Sequence, residues 1–296
     1  MRIATYNTEF LFNEGTHTHS GKEWTYTSLF VEKRIEYFAK KFKDIDADIL
    51  LLQEVASEDM IQHIISRCSI PYKYFFATPA NNVGNVVLYK DENAICDTIP
   101  AKTALPVFVE GDCDVLGERM WSRRDFVYIK STYNNRPLYC IGIHIKANFM
   151  VALKDVEGEN YPIETQLDGA DSLIRSEYFR FSQAKKVREV VGGILKEDPD
   201  AYVVVGGDFN APEFNSVFRI IRGAHKDEPD ALLSAVTQNT HAGGHFLVDH
   251  LLFSRSMESM VDKVQVLDGD LVDHKHTPDN IWYPGSDHPP VVLDLV

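Results

Sequence analysis

The sequence predicts an α/β protein in which two mixed β-sheets pack together and helices cover them. Three observations carry this prediction: strand-like apolar runs outnumber helical patterns, strands and helices follow one another in mixed order, and no internal repeat occurs. The chain has 296 residues, of which 44% are hydrophobic, enough for a sizeable core in one large or two small domains. No Gly-, Ser- or Pro-rich linker divides the chain, so we expect a single domain over residues 1–296.

The first part of the chain contains two helical patterns between strand-like runs. RIATYNTEF predicts an opening strand, and residues 12–27 are interpreted as a polar loop. Spacings of four, three, four and three then place a set of apolar residues on one helix face: Val31, Ile35, Phe38, Phe42 and Ile45. ADILLLQEV follows as a continuous apolar strand, and Ser57 is the expected start of a second helix.

Strands dominate the rest of the chain, with two further helices between them. The expected strands are YKYFFAT, NVVLYK, a pair within DFVYIKSTYNNRPLYCIGIHIKA, the run at 202, LVDHLLFS and PPVVLDLV. The expected helices are SEYFRFSQAKKVREVVGGILKE and a shorter one near FNSVFRIIRG. Residues 147–178 are interpreted as a long link, a feature that is as typical of a surface insertion as of a substrate-selecting loop.

The composition limits the classes of function. Thirty Lys and Arg residues against 44 Asp and Glu residues give a net charge of −14, so any phosphate chemistry must be local and assisted by a cation. The four cysteines lack CxxC spacing, which favours reduced thiols. A strand-like segment at residue 2 leaves no room for a signal peptide, and no apolar run reaches membrane-spanning length. We therefore expect a cytoplasmic monomer without stable membrane association.

The stretch YVVVGGDFNAPEF is the most informative single segment. Its continuous apolar run is typical of a strand buried on both faces, so Asp208 and Asn210 lie where that strand leaves the core. In α/β proteins such a rim is where chemistry is usually placed. Taken alone, however, Gly-Gly-Asp-Phe-Asn is equally typical of a simple turn.

Carboxylates, amides and histidines end several other apolar runs in the same way. The full set is Asn7, Glu54, His144, Asp208, Asn210, Asp249, Asp287 and His288. The pieces TYNTEF, LLQEV, IGIHIKA, GGDFNAP, VDHLLFS and SDHPPV, in this order, resemble the endonuclease/exonuclease/phosphatase superfamily. The resemblance implies a deoxyribonuclease I-like four-layer sandwich, with two mixed sheets face to face between helices and a phosphoester-hydrolysing site at one rim.

The resemblance also implies a metal site. Hydrolysis of a phosphodiester requires charge neutralisation and an activated water, and a hard divalent cation with oxygen ligands supplies the first. Glu54 is the first expected ligand of Mg²⁺ (or Mn²⁺), with Asn7 and Asp287 close to the same ion or its waters. A zinc site among the histidines of HAGGHFLVDH and DHKH is a weaker alternative, because it lacks CxxC or HExxH spacing.

The remaining roles follow from the same resemblance. Asp249 and His288 are expected to form a carboxylate–imidazole pair, with His288 as general base for water. Asp208 is expected to activate the water or to hold a second ion, and Asn210 to donate to a phosphoryl oxygen. His144 is expected to bind phosphate or to protonate the leaving oxygen, although no second glutamate that would orient it can be placed.

Three further residues are expected to bind substrate. Arg180 and Gln183 share a helical stripe with Val187, which turns polar groups inward at the start of the helix. Lys146 lies on the same strand face as His144 and is a candidate phosphate contact.

The function predicted first is a metal-dependent nuclease, cutting at ends or internally. A phosphatase or a phospholipase- or sphingomyelinase-type hydrolase of small phosphoesters is the alternative on the same site. A catalytically silent binding protein is a third possibility, but it would require the loss of a catalytic side chain, and these residues are all present.

Overall fold

The computed structural model describes residues 1–19, 22–77, 83–100, 125–152, 162–235, 240, 247–269, 271 and 283–296. The strands in chain order are β1 (Arg2–Leu11), β2 (Gly15–His19), β3 (Lys22–Tyr26), β4 (Ile49–Val55), β5 (Lys73–Phe76), β6 (Gly84–Tyr89), β7 (Ile95–Ile99), β8 (Phe126–Tyr133), β9 (Arg136–His144), β10 (Tyr202–Asp208), β11 (Leu233–Ser234), β12 (Asp249–Phe253), β13 (Val261–Val266) and β14 (Val291–Leu295). The α-helices are α1 (Ser28–Ile45), α2 (Glu58–Cys68), α3 (Gln166–Glu197) and α4 (Ser216–Arg222), and a 3-10 helix covers Arg255–Met260.

Two six-stranded mixed sheets form the framework of the described part of the chain. The first sheet has the order β13-β14-β1-β4-β6-β5, and the second has the order β11-β12-β10-β9-β8-β7. In the middle of each sheet lies one parallel pair, β1 with β4 in the first and β9 with β10 in the second. Parallel neighbours bring their carboxyl ends to the same edge of a sheet, and this edge carries the polar residues considered below.

Three apolar clusters give the layers in order. Phe38 of α1 and Ile61 of α2 pack on the outer face of the first sheet, whereas Val187 of α3 and Phe218 of α4 pack on the outer face of the second. Between the sheets lies a third cluster, which includes Ile3, Leu51, Val87, Val127, Cys140, Val204, Leu251 and Leu293. The two-mixed-sheet, four-layer prediction is confirmed.

The helices begin where their capping residues allow. Ser57 accepts a hydrogen bond from the Met60 N–H and caps α2, as expected. The helix α3 was predicted from residue 176 after a long link, and this was wrong because Thr165 and Asp168 form a capping box that starts it at Gln166. Residues 166–178, the last part of the 147–178 segment, are therefore helical.

The polar loop predicted over residues 12–27 is also corrected. Within it β2 and β3 form an antiparallel hairpin, whose register pairs His17 with Trp24. Stacking of the His17 ring on Phe12, with centroids 4.4 Å apart, fixes the hairpin against the end of β1. No helix of the described residues is long and apolar enough to cross a membrane.

The two glycines of β10 have separate packing reasons. A Cβ on Gly206 would lie 2.6 Å from Leu251 on the neighbouring strand and 3.0 Å from Leu51 of the first sheet, so glycine makes room for both side chains between the sheets. Gly207 has φ +151°, and a Cβ there would lie 1.9 Å from the carbonyl oxygen of Ile143 on β9. Only glycine therefore fits at the position directly before Asp208.

We expect Gly207→Ala to destabilise the protein by about 3 kcal/mol or more, since both the backbone conformation and the contact with Ile143 forbid a side chain. Urea unfolding followed by circular dichroism measures this. The matched control is Gly193→Ala in α3, where a Cβ would meet nothing within 4 Å. That change should stabilise the helix by about 0.5–1 kcal/mol, and equal stability of the two variants would contradict the packing argument.

Candidate functional site at the sheet rim

The candidate site lies where the two parallel strand pairs end. In the first sheet Asn7 of β1 is level with Gln53 of β4, directly before Glu54. In the second sheet Asp208 of β10 is level with His144 of β9. Asp208 is also level with Asp249 of β12. Strands of both sheets therefore bring polar side chains to one rim.

Glu54 is held in an uncommon backbone conformation. Its φ is +63°, and the pairing of β4 with both neighbouring strands shifts register at this point. The Glu54 carboxylate accepts a hydrogen bond from the Phe10 N–H at 3.0 Å and one from the Asn7 Nδ2 at 3.4 Å. A bulge of this kind redirects a side chain, here from the sheet towards the rim.

Asp208 is the acceptor that connects the two sheets. Its Oδ2 accepts from the Nδ2 of Asn7 at 3.1 Å and from the Nδ2 of Asn210 at 3.0 Å, and its Oδ1 accepts from the Asn210 N–H at 2.7 Å. Asn210 has φ +47°, which closes this small turn. Asp208 is only 2% exposed, so its charge depends on these donors rather than on water.

His144 lies between the acidic groups of the two sheets. Its Nε2 is 3.6 Å from the Glu54 Oε1 and 3.6 Å from the Asp208 Oδ2. The predicted site residues Asn7, Glu54, His144, Asp208 and Asn210 thus converge. The acidic neighbours of His144 therefore come from the rim itself.

Asp249 and His288 form the expected pair. The Asp249 Oδ2 lies 2.7 Å from the His288 Nδ1, while the Asp249 N–H donates to the Thr240 hydroxyl. Asp287 lies beside the pair, with its Oδ1 3.6 Å from the His288 Nε2. Burial lowers the pKa of His288, but the carboxylates of Asp249 and Asp287 outweigh it, so that this pKa stands well above its ordinary value.

The two groups of side chains meet at Asp208. Ligand atoms of Asp208, Asp249 and His288 all lie within 4.8 Å of one another, close enough for one metal ion. Burial, followed by the Asp249 carboxylate, raises the pKa of Asp208 to about 7. The Asp249 Oδ1 is buried without a hydrogen-bond partner among the described residues. Two buried carboxylates beside an imidazole nitrogen, one of them with an orphaned oxygen, fit a divalent cation.

The predicted substrate contacts Arg180 and Gln183 are buried, at 1% and 2% exposure. Arg180 donates to the carbonyls of Lys146 and Asn210 at 2.6 and 3.0 Å, and Gln183 accepts from the Lys146 N–H at 2.9 Å. The Lys146 ammonium donates to the carbonyls of Ala147 and Phe149 and to the Ser176 hydroxyl. The geometry shows these three side chains bracing the loops after β9 and β10.

Two residues of the site were missed in the sequence. The Glu9 carboxylate accepts from the Asp287 N–H at 2.9 Å, and the Ser286 hydroxyl donates to the Asn7 carbonyl at 2.7 Å. Glu9 lies within TYNTEF and Ser286 within SDHPPV, so the sequence pieces that carry the resemblance already contained both residues. Of the zinc alternative, His241, His245, His274 and His276 lie outside the described residues. His250 faces away from the rim and bonds to the Ala211 carbonyl.

A sheet sandwich with a carboxylate, amide and imidazole rim defines a class of phosphoester hydrolases. A family model described as Endonuclease/Exonuclease/phosphatase family matches residues 4–288. The chain belongs to the endonuclease/exonuclease/phosphatase family and is a hydrolytic phosphoesterase. No curated protein sequence matches it.

Solved structures share this fold at low sequence identity. The catalytic domain of human Nocturnin with bound sulfate has a TM-score of 0.59 and 17% identity, over 100% of this chain and 94% of that one. A truncated TDP2 from Caenorhabditis elegans gives 0.57 and 16%, over 99% and 96%. A mannosyl-6-phosphatase from Bacteroides thetaiotaomicron gives 0.58 and 14%, over 100% and 99%. Such identities establish the fold alone.

We expect His288→Ala to lower turnover by about two to four orders of magnitude, the usual scale for a positioned acid–base group. Asp249→Asn should reproduce much of this loss, and the double variant should be little worse than the worse single one, because the two residues act as a unit. Steady-state kinetics with bis-p-nitrophenyl phosphate measures all three variants.

The control for this pair is His250→Gln, which keeps a polar group near the Ala211 carbonyl on the opposite face of β12. It should remain active at temperatures well below its unfolding transition. Additive losses at Asp249 and His288, or an inactive but folded His250 variant, would mean that the paired residues are wrongly identified.

Proposed function

We propose that this protein is a Mg²⁺- or Mn²⁺-dependent phosphodiester hydrolase whose substrate is nucleic acid. The observation that supports this most is the buried Asp249–His288 pair, 2.7 Å apart, beside Asp208 on a rim shared with Glu54. A carboxylate-fixed imidazole next to oxygen ligands combines a general base with a cation site, the two requirements of phosphoester hydrolysis by water.

The residues proposed to hold the cation are Glu54, Asn7 and Asp287, with Asp208 able to hold a second ion. Carboxylate and amide oxygens are the donors that hard divalent cations prefer. When bound, such a cation would neutralise the phosphate oxygens, stabilise the departing oxyanion and lower the pKa of the neighbouring His288.

Each side chain of the rim is proposed to have its own role in the reaction. The Asp249 carboxylate fixes the His288 tautomer, so that the Nε2, which lies 3.6 Å from the Asp287 Oδ1, is the atom proposed to take a proton from water. His144 binds a phosphate oxygen or protonates the leaving oxygen. The Asn210 Nδ2 donates to the Ile145 carbonyl and to Asp208. A phosphoryl oxygen must therefore replace one of these acceptors before Asn210 can stabilise it.

A phosphatase acting on a small phosphoester is the second candidate, and two observations favour it. The net charge of −14 opposes attraction of a long polyanion. The cationic groups of Lys146 and Arg180 also donate to the protein's own carbonyls rather than standing free at the rim. A small phosphoester needs fewer cationic contacts than nucleic acid does.

We expect activity to disappear after exhaustive EDTA treatment and to return with Mg²⁺ or Mn²⁺. Glu54→Gln should raise the Mn²⁺ dissociation constant at least about tenfold without changing thermal stability, since it removes a ligand charge at a strand end. Isothermal titration of Mn²⁺ measures this directly. Glu189→Gln, an exposed change on α3, is the control. Undiminished turnover in EDTA would exclude the metal requirement.

The two candidate substrates are separated by a panel assayed with Mg²⁺. We expect plasmid DNA, single-stranded DNA or RNA to be cleaved with a higher kcat/KM than sugar phosphates, because the proposed substrate is a phosphodiester and a sugar phosphate is a monoester. Electrophoresis and phosphate release measure the two activities. Release of phosphate from a hexose 6-phosphate without any strand cleavage would favour the phosphatase.

A further inference from the structure

Arg34 of α1 is a fully buried arginine beneath the rim. It is 0% exposed and ranks first by volume among the fully buried side chains of the described residues. Its Nη2 donates to the carbonyls of Thr8 and Glu9, the latter at 2.8 Å. Its Nε and Nη1 have no hydrogen-bond partner in the described part of the chain. The guanidinium is covered by aromatic rings, the nearest being Phe38 with a centroid 5.2 Å away.

This environment is costly for a charged group. A guanidinium carries five N–H donors, and burial without partners for most of them loses solvation that the few bonds do not restore. Cation–π contacts with the rings recover part of this loss. An apolar side chain of similar length would fill the same space without that cost, so packing alone does not explain an arginine here.

The two carbonyls that Arg34 binds belong to the Thr8–Phe10 turn, a strained kink within β1 where the pairing of β1 with β4 shifts register. Glu9 and Phe10 follow one another with φ +48° and +51°, values that are unfavourable for residues other than glycine and asparagine. Consecutive residues in this conformation persist only when the surroundings hold them. The Arg34 Nη2 donates hydrogen bonds to the carbonyls of Thr8 and Glu9 and thereby holds this backbone conformation.

The same turn presents three groups to the rim. The Phe10 N–H donates to the Glu54 carboxylate at 3.0 Å, and the Glu9 carboxylate accepts from the Asp287 N–H at 2.9 Å. The Glu9 N–H donates to the Asn7 Oδ1 at 3.0 Å. All three proposed holders of the cation therefore depend on the position of this one turn.

We propose that Arg34 is a positioning residue for the metal site, which it serves by locking the Thr8–Phe10 turn that orients Glu54, Asn7 and Asp287. Arg34 does not touch the ion, and it acts through the backbone carbonyls of Thr8 and Glu9. The inference rests on the proposed function, in that Glu54 is taken as a metal ligand. A positioning role explains why a charged side chain is buried at a place where packing alone would favour an apolar one.

The test is a comparison of metal affinity with stability in Arg34→Met. We expect the Mn²⁺ dissociation constant, measured by isothermal titration, to rise about 10- to 100-fold, the usual effect of removing a group that orients a ligand. The melting temperature in EDTA should be unchanged or higher, because a poorly compensated buried charge is removed. A purely structural role would lower the melting temperature and leave the affinity unchanged.

Two further variants keep the test decisive. Arg34→Lys retains the charge but not the planar guanidinium, so it should also weaken Mn²⁺ binding and serves if Arg34→Met does not fold. Arg188→Met is the matched control, since Arg188 also donates to backbone carbonyls, of Arg222 and Asp230, away from the rim. It should bind Mn²⁺ as the wild type does.

The outcomes separate this inference from the proposed function. If Glu54→Gln weakens Mn²⁺ binding and folded Arg34 variants bind it normally, Arg34 is not a positioning residue and the metal site stands. If Glu54→Gln leaves Mn²⁺ binding unchanged, the assignment of the ligand itself is wrong, and the role of Arg34 is overturned with it.

Discussion

The hydrogen bond from the Asn7 amide to the Asp208 carboxylate joins the two sheets at the rim, and the arrangement of the site depends on it. Asn7 belongs to a central strand of the first sheet and Asp208 to a central strand of the second, and both residues are buried. A buried bond to a charged acceptor is worth about 1.5–3 kcal/mol. More important for function, it fixes the separation between Glu54 on one sheet and Asp249 on the other.

The rim combines this fixed contact with backbone strain. Left-handed conformations occur at Glu9, Phe10, Glu54 and Asn210, and Gly207 adopts a conformation that only glycine tolerates. Each such residue costs on the order of 1–3 kcal/mol when it is not glycine. The three apolar clusters of the two sheets and their helices supply the stability that offsets this cost, so the core and the site are energetically connected.

The sequence was sufficient for the framework and for much of the rim. Apolar runs bounded by Asn7, Glu54, Asp208 and Asp249 predict strands whose ends carry chemistry. Parallel pairing brings the carboxyl ends of β1, β4, β9 and β10 to the rim, and antiparallel pairing places Asp249, at the start of β12, beside Asp208. The hairpin after β1 was missed because GTHTH and KEWTY are polar on their outer face and short. The early start of α3 was missed because Thr165 and Asp168 cap a first turn that carries little apolar periodicity.

Other features could not be predicted from residue patterns in principle. Arg180 and Gln183 were correctly expected to face inward, but their bonds to the backbone after β9 and β10 depend on how α3 lies across the second sheet. Likewise, Arg34 lies three residues after Val31 and four before Phe38, on the apolar face of α1, but a charged residue at such a position is rarely fully buried. Tertiary contacts decide both cases.

The central claim is that the rim where the two sheets meet is a divalent-cation site with Glu54 as ligand. Diffraction from crystals grown with Mn²⁺, collected at an energy where manganese scatters anomalously, tests it most directly. The account predicts an anomalous peak about 2 Å from a Glu54 carboxylate oxygen, on the rim that Asn7 and Asp208 share. A well-occupied manganese ion elsewhere, with Glu54 still bonded only to Asn7 and the Phe10 N–H, would contradict it.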